Sequence, residues 1–487
     1  MKNQIIDFAS LENKNFILDI SGMNSLGQGV GKIDGLTIFV AGAITGEKID
    51  AQVTELKKNY CIGKINKIIE PSPYRTAPFC EVFDNCGGCS LQHISYDYQL
   101  DYKTGKVRDE VERISGIKDI KINKIIGMKN PLNYRNKAEY FINPPTGSAV
   151  CSESGSGFDN ESENDFSIGF YARGSHEVVA HKICHICTVE SNEIKNYFKE
   201  LVSKNNIFNL KSLTVRKSFG TDEAMVIISA FENKNANNPA DNPGAVSGHD
   251  EINTSIFKAL AGSLTVKFPS IKSIYLNISG KHRSTYYLLL GKKTIRENLS
   301  NYGFDISPGS FFQVNTKGAE ILFATALKYA GLSGSEEVLD LYCGTGASTI
   351  LISGHCKIII GVEVLKGAVD DAKANSRLNG VKNVGFVQGE ALKMLRELKR
   401  KNQVREGTFD VSIIDPPRTG MEAEVIEAIA NLKINKIVYI SCNPSTLARD
   451  IKRFSENGYS TIEIQPVDMF PHTEHVECVA LISREAS

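Results

Sequence analysis

Three short stretches near the end of the chain carry residue types that could do covalent chemistry. Ser441-Cys442-Asn443-Pro444 follows the apolar run 436–440, and Asp415-Pro-Pro-Arg-Thr-Gly420 follows the run 411–414. Glu477 lies in His475-Val-Glu-Cys-Val479. A thiolate is a good nucleophile even when a few per cent of it is ionised, although most cysteines after a strand are small buried hydrophobes. Carbon 5 of a pyrimidine is a target that needs such a thiol. It is a poor nucleophile until a thiolate adds at carbon 6 and turns the ring into an enolate. Carbon 5 then attacks an electrophilic methyl, and a base removes its proton so that the thiol can leave. Cys442 as nucleophile, Asp415 as the acid that orients the ring and Glu477 as base would fill these roles. On spacing alone, Glu477 is equally an exposed strand glutamate and Asp415-Pro-Pro a rigid turn.

A methyl donor needs its own loop. Asp340-Leu-Tyr-Cys-Gly-Thr-Gly346 follows an apolar run and precedes a helical pattern, and its glycines allow a sharp turn and close approach to a ligand. Glu363 ends the next apolar run, about 20 residues on, where doubly wound folds place an acid on ribose hydroxyls. Ala347-Ser348 stand where a dinucleotide fingerprint has its third glycine, and no Walker lysine follows. S-adenosylmethionine therefore fits better than a dinucleotide or a nucleoside triphosphate.

These loops require a frame. Apolar runs at 337–341, 358–362, 384–388, 411–414 and 436–440 alternate with helical patterns at 319–329 and 367–379 and with Val425, Ile426, Ile429 and Leu432. This predicts an α/β domain, a mostly parallel, doubly wound, Rossmann-like sheet whose carboxyl ends form the ligand crevice. Residues 467–483 suggest two further strands joined by Pro471. The first ~70 residues show strand-like runs at 16–20, 37–40, 48–53 and 61–69 between glycine-rich turns (Gly27, Gly29, Gly31, Gly35, Gly42, Gly46), as in a small OB-type barrel. Pro71 and Pro73 mark a linker. A helix is expected at 96–114, then a mostly β region with strands at 138–142, 167–171, 213–216, 225–229, 273–278 and 286–290. Polar stretches at 147–165 and 232–249 have no apolar period and are expected as flexible insertions. The expected domains are 1–72, 73–305 and 306–487.

Composition sets bounds on the class. With 41% hydrophobic and 23% charged residues the chain is of ordinary globular type. Its first 20 residues hold no apolar signal region, and no apolar run approaches the roughly 18 residues of a membrane span. A cytoplasmic protein without membrane contact is expected. Eleven cysteines without a secretion signal point to metal or catalytic roles rather than disulfides. Cys80, Cys86 and Cys89 place three thiols within ten residues, which suits zinc or an iron–sulfur cluster. A formal net charge of +0 counts against a nucleic-acid binder. Basic clusters do occur, at Lys57–Lys58, 135–137, 281–283 and 292–296, each equally a solvated face.

In order and spacing these stretches resemble the RNA uracil-5 methyltransferase family over nearly the whole chain. Residues 27–58, with Gly-Val-Gly-Lys, Phe39-Val40 and Gly46-Glu47, look like a TRAM domain, an RNA-binding barrel. Cys80 to Gln92 looks like the iron–sulfur motif of the ribosomal branch. Tyr134-Arg-Asn-Lys137, Phe311-Phe-Gln-Val-Asn315, the Gly344 loop and the segments 415–420, 441–450 and 475–479 complete the match. The resemblance implies that Gln313, Tyr342, Glu363 and Asp415 contact S-adenosylmethionine or orient the uracil, with Cys442 the nucleophile and Glu477 the base. It implies a [4Fe–4S] cluster on Cys80, Cys86, Cys89 and a fourth cysteine beyond Ser175-His176, either Cys184 or its rival Cys187, with His181 and His185 nearby. Such a cluster is expected to be structural and outside the reaction crevice. The implied substrate is 23S rRNA, with transfer RNA the alternative, acted on by a monomer.

The rival activities lack their residues. An RNA cytosine-5 methyltransferase would place cysteines after prolines in both late loops, and Asp415-Pro-Pro-Arg has none. An exocyclic-amine methyltransferase would carry an aromatic in place of Arg418. A radical enzyme would show a C-x-x-x-C-x-x-C run, which is absent. A non-catalytic RNA-binding protein is the remaining rival.

Overall fold

The computed structural model describes residues 11–143, 166–207, 209–231, 254–279, 284–400 and 408–485. Both expected insertions and the basic run 281–283 lie outside the described residues.

The first sheet comprises β1 (Asn15–Asp19), β2 (Gly22–Met23), β3 (Gly29–Ile33), β4 (Leu36–Val40), β5 (Lys48–Leu56) and β6 (Tyr60–Glu70), in the order β1-β5-β6-β4-β3-β2. Alternate residues Ile49, Ala51 and Val53 of β5 meet Ile38 and Val40 in a fully buried core, the period-2 pattern of a half-buried strand. Gly29 and Gly31, expected in turns, lie inside β3, because the strand pairs with β4 from Gly29↔Val40 onward. Buried Glu47 fastens this sheet to the following linker. It accepts from Ile44 N at 2.9 Å and forms an ion pair with Arg75, whose Nη2 also reaches Gly42 O at 2.6 Å.

Helix α1 (Tyr96–Ser115) ends at Gly116, whose φ of 75° gives the left-handed cap that frees the chain to turn away. It buries Gln99, Lys103, Val107 and Val111, one residue per turn. Two of these are polar, and both have partners. Lys103 Nζ donates to Asp468 Oδ1 at 2.6 Å and to Phe470 O at 3.0 Å, and Gln99 Nε2 reaches Ile94 O at 2.8 Å. Strand β7 (Lys121–Ile122) follows. Val107, Val111, Ile120 and Ile125 share a core with Leu339, Ile437 and Phe454, so residues 96–126 join the C-terminal domain rather than the 73–305 unit expected from sequence.

The central domain is a seven-stranded sheet of β8 (Lys137–Asn143), β9 (Ser167–Tyr171), β10 (Val178–Ala180), β11 (Leu210–Lys217), β12 (Ala224–Phe231), β13 (Ile271–Ser279) and β14 (Ser284–Gly291). Its order is β10-β9-β8-β11-β12-β13-β14. Two helices absent from the sequence expectation, α2 (Val189–Lys204) and α3 (Thr254–Lys267), cover one face. Ile194, Phe198 and Val202 of α2 recur every four residues and pack with Tyr140, Leu213 and Val226. Strands β12 and β13 are parallel, so the chain must cross over between them, and α3 is that crossover.

The hairpin β15 (Ile295–Leu299) and β16 (Tyr302–Ile306) leads into the last domain. There α4 (Thr316–Ala330), β17 (Glu337–Leu341), α5 (Ala347–Ser353), β18 (Ile358–Glu363), α6 (Lys366–Leu378) and β19 (Val384–Gln388) follow one another. Next come α7 (Ala391–Arg400), β20 (Val411–Ile414), α8 (Ala423–Asn431), β21 (Lys436–Ser441), α9 (Pro444–Glu456), β22 (Tyr459–Val467) and β23 (Glu477–Arg484). The sheet order is β19-β18-β17-β20-β21-β23-β22-β7. Strands β17 to β21 are parallel, and β23 runs antiparallel between β21 and β22. Strand β22 starts earlier than the two-strand expectation for 467–483 and ends at Val467. Pro471 lies in a loop, because Asp468 is taken up by Lys103 and Tyr96 instead of by a strand partner. No helix among the described residues is long and apolar enough to cross a membrane.

Lys103 and Asp468 are both fully buried. Removing one charge strands the other, at a cost of about 3–5 kcal/mol. We expect Asp468→Ala to lower the unfolding free energy from urea titration by that amount and Lys103→Met with Asp468→Leu to recover most of it. Equal losses in the single and double variants would show that the pair does not anchor α1.

Candidate active site

Parallel strands deliver their carboxyl ends to one edge of a sheet, and that edge is where an α/β domain binds ligands. Here the ends of β17, β18, β20 and β21 bring Tyr342, Glu363, Asp415 and Cys442 to it. Strand β23 runs the other way, so its first residue, not its last, arrives at the same edge. The β21–β23 register pairs Ser441 with Cys478, and one step further sets Cys442 opposite Glu477. The nucleophile, acid and base inferred from sequence thus converge from three strands.

The environment alters all three groups. Glu477 is buried, and burial together with the charge of Asp415 pushes its carboxyl up to about 8, while Arg418 opposes the rise. Burial also raises Asp415 to about 7, with Asp340 contributing. The Cys442 thiol is raised to about 11 by burial and by Glu477, against the pull of Arg418. Arg418 is thus the positive charge felt by both Cys442 and Glu477, a part that the sequence reading gave it only as a missing aromatic. Its signal, the fourth letter of Asp-Pro-Pro-Arg, was in plain view.

The two reactive loops are knitted together. Asn443 Nδ2 and Thr446 Oγ1 donate to Arg418 O at 3.2 and 3.3 Å, which fixes the backbone and leaves the guanidinium exposed. Buried Asp450 accepts from Tyr439 Oη at 2.7 Å and from Met421 N at 2.8 Å. Gly420 is needed here, since a Cβ would come within 2.6 Å of Asp450 Oδ2 and its φ is 72°.

The glycine loop is strained in a way that suits a ligand. Tyr342 has a φ of 66°, a left-handed conformation that costs a non-glycine residue roughly 1–2 kcal/mol. At Gly346 a Cβ would sit 3.0 Å from Ala372 Cβ of α6 and 3.1 Å from the Phe386 ring of β19, so the glycine lets the start of α5 lie close to both. Asp340, fully buried, accepts from Ser348 Oγ and Thr349 Oγ1 at 2.7 and 2.6 Å, while its Oδ1 has no partner among the described residues. Burial raises this acid to about 6. Glu363 accepts from Gly344 N at 3.2 Å and from Leu365 N at 2.8 Å, spanning the loop mouth. Gln313 is placed by its neighbours, Asn136 Nδ2 donating to Gln313 O at 3.0 Å and Asn136 N to Val314 O at 2.8 Å.

A cavity of about 960 Å³ is lined by Gln313, Arg418 and His475 and also by Cys80, Cys86, Cys89 and Cys184. Of the two reactive loops it meets Arg418 and His475, while Asp415, Cys442 and Glu477 are not on its wall. Burial raises Cys80, Cys86 and Cys89, and each also feels Cys184. Cys187 lies behind the wall, fully buried against Tyr140. The thiols share a wall without being gathered: among the described residues no group of three or more Cys, His, Asp and Glu stands close enough to hold a metal ion. Backbone bonds from Ser90 N and Leu91 N to His472 O, both 3.0 Å, tie this wall to the loop before Glu477.

Comparison with known proteins agrees with this geometry. A family model described as tRNA (Uracil-5-)-methyltransferase matches residues 251–485, and a TRAM domain model matches residues 11–65. A protein of Caldanaerobacter subterraneus named as an RNA methyltransferase is 39% identical over 97% of this chain and 98% of its own. The chain belongs to the RNA uracil-5 methyltransferase family. A second RNA methyltransferase, from Clostridium tetani, is 37% identical over 98% of both chains. Among solved structures, the Pyrococcus abyssi tRNA (uracil-54, C5)-methyltransferase in complex with S-adenosyl-L-homocysteine superposes with a TM-score of 0.69. It is 25% identical and the match covers 96% of this chain and 100% of that one.

In this member of the uracil-5 methyltransferase family Glu477 holds its proton more tightly folded than unfolded, since its pKa rises from 4.5 to about 8. The folded state therefore loses stability as pH rises through that window. We expect Glu477→Gln, which has no proton to lose, to melt several degrees (~3–6 °C) above the parent at pH 8 and to match it near pH 4.5. Parallel melting curves at both pH values would contradict the burial of an ionisable carboxyl here.

Proposed function

We propose that this protein methylates carbon 5 of a uridine in 23S rRNA, using S-adenosylmethionine and a transient bond from Cys442. The observation that carries the reading is that Glu477 and Asp415 both act on the Cys442 thiol where the Ser441–Cys478 pair ends β21 and β23. The cofactor fits the loop: left-handed Tyr342, Gly344 and Gly346 curve the backbone, and Asp340 Oδ1 offers a buried acceptor without a partner. When bound, S-adenosylmethionine supplies an electrophilic sulfonium methyl.

The chain's residues do the rest. Cys442, at rest a protonated thiol, loses its proton to solvent; the thiolate sulfur then adds to carbon 6, and the C5–C6 electron pair moves through the ring onto the carbonyl oxygen at carbon 4. Arg418 is the charge at hand to favour the thiolate. After methyl transfer carbon 5 carries both methyl and hydrogen. Glu477, once its own resting proton has passed to solvent, takes that proton as a carboxylate, the C5–C6 double bond reforms and the Cys442 thiolate leaves. A carboxyl raised to about 8 is a stronger base than an ordinary glutamate, and its burial keeps competing water away. Asp415 and Gln313 would hold the uracil edge, and Tyr342 and Glu363 the cofactor.

We further propose that Cys80, Cys86, Cys89 and Cys184 hold a [4Fe–4S] cluster. Four thiols on one cavity wall are the right donor set, and Cys184 is favoured over the occluded Cys187. There the cluster would staple the 80–92 loop, and through His472 the loop that leads to Glu477.

A 5-fluorouridine RNA tests the mechanism, because fluorine at carbon 5 cannot be removed as a proton. With S-adenosylmethionine the protein should form a stable covalent complex, Cys442→Ala none, though it still binds cofactor. Glu477→Gln should accumulate adduct on ordinary RNA and turn over at least ~100-fold more slowly; turnover by Cys442→Ala would end the proposal. Anaerobic protein should contain iron and sulfide, lost in Cys86→Ser, and a colourless zinc protein would overturn the cluster. Transfer RNA is the substrate in the name of the Pyrococcus enzyme. Mapping 5-methyluridine in cells with and without the gene decides, a lost site in 23S rRNA supporting our choice and one in transfer RNA refuting it.

A further inference from the structure

One face of the central sheet is covered by α2 and α3, and the other carries an arrangement that costs stability. In the β8–β11 pairing Lys137 stands directly opposite Arg216. Cross-strand partners point to the same side, and like charges in that position repel. Arg135, two residues before Lys137, adds a third positive charge that Lys137 feels, as it feels Arg216. Glu139 offsets part of the repulsion at Lys137 and Glu297 part of it at Arg216, but neither is paired with them. Among the described residues no carboxylate forms an ion pair with any of the three.

The nearest acids are otherwise engaged. Glu139 accepts from Ser212 Oγ at 3.0 Å. Glu297 is buried and accepts from Ser218 Oγ at 3.0 Å and from Gly220 N at 2.8 Å. Arg216 is only 5% exposed, yet among the described residues its guanidinium makes a single hydrogen bond, Nη2 to Ser310 O at 3.1 Å. A guanidinium has five donors, so among these residues most of its capacity is unused. Its neighbour Lys217, on the opposite side of the strand, shows what ordinary pairing looks like, with Glu190 and Asp222 both bound to its ammonium. Burial lowers the Lys137 ammonium, and Arg216 and Arg135 lower it further against the opposing pull of Glu139.

The position of the group says what the counter-charge is. Arg135 lines the cavity that Gln313 and Arg418 also line. Ser310, held by Arg216, leads directly into Phe311, which is 70% exposed on the same cavity. An anion seated here would lie beside the entry to the reactive pocket, remote in sequence and strand from the Tyr342–Gly346 loop. A nucleic acid whose base enters the cavity must bring a backbone charge to its rim. We propose that Arg135, Lys137 and Arg216 form a seat for one phosphodiester of the RNA backbone next to the target uridine. This rests on the RNA methyltransferase reading and adds the contact that holds the strand while the base is turned in.

The test uses the full-length protein and a synthetic stem–loop RNA with uridines in its loop, titrated over a series of salt concentrations. Lys137→Met should weaken RNA binding about tenfold and reduce the slope of log K against log salt by ~0.7–0.9, the share of one phosphate contact. Lys137→Arg should restore both. Affinity for S-adenosylhomocysteine should not change, and the melting temperature should stay level or rise as the like-charge contact disappears. Replacing single loop phosphates by neutral methylphosphonates should reveal one linkage whose loss weakens the parent but not Lys137→Met. An unchanged salt slope, or a loss of S-adenosylhomocysteine affinity in place of RNA affinity, overturns the seat. The fluorouridine adduct of the parent protein judges the enzyme reading separately, and the slope decides the seat whichever way that falls.

Discussion

The site depends on one electrostatic constraint: two carboxyl groups and a thiol are enclosed at one sheet edge with a single arginine able to offset them. They cannot all carry charge in so dry a space. The free protein therefore keeps on Glu477, raised to about 8, a proton that water would have removed, and holds the Cys442 proton more firmly than water does, raised to about 11. That state is useful rather than inert. A ligand that brings charge or hydrogen bonds into the edge decides which group gives up its proton. The sheet supplies the enclosure because β23 runs against its neighbours and inserts a carboxylate where parallel strands alone would have offered only loop residues.

The remainder of the molecule keeps that edge in place. Asp450 and Asn443 bind the Asp415 and Cys442 loops to each other, so Asp415 and Cys442 move as one body. On the other flank α1 grips the loop before Glu477 through Lys103, Gln99 and Tyr96. The cysteine-bearing loop is bonded to that same stretch by Ser90 and Leu91. Such polar contacts give geometric definition more than net stability. They suit a reaction in which the sulfur must meet one carbon of a ring and the carboxylate must reach the adjacent one.

Much of this was legible in the chain. The parallel strands were placed to within a residue or two because their apolar runs are separated by regular helical stretches, and the reactive residues fell at the ends of those runs. What was not legible shares a cause, namely that it depends on partners far away in sequence. The direction of β23 cannot be read from its own residues, so Glu477 passed for an exposed strand glutamate although its side chain is buried. Helix α1 looked merely polar because Gln99 and Lys103 are buried only against Asp468, Phe470 and His472. Helix α2 has a correct apolar repeat, but only three strong positions among charged neighbours. The opposition of Lys137 to Arg216 appears only when two strands are aligned.

Because α1 and β7 complete a domain whose other elements begin at α4, the C-terminal domain is assembled from two pieces with the whole central sheet between them. Lys103 lies 365 residues ahead of Asp468. During translation at roughly 5–20 residues per second, that helix waits on the order of 20–70 seconds for its counter-ion to emerge. The barrel and the central sheet have all their strands by then and can close first. The methylation domain is thus begun early and finished last, which leaves the enclosed thiol and carboxylates unformed until nearly the entire polypeptide has been made.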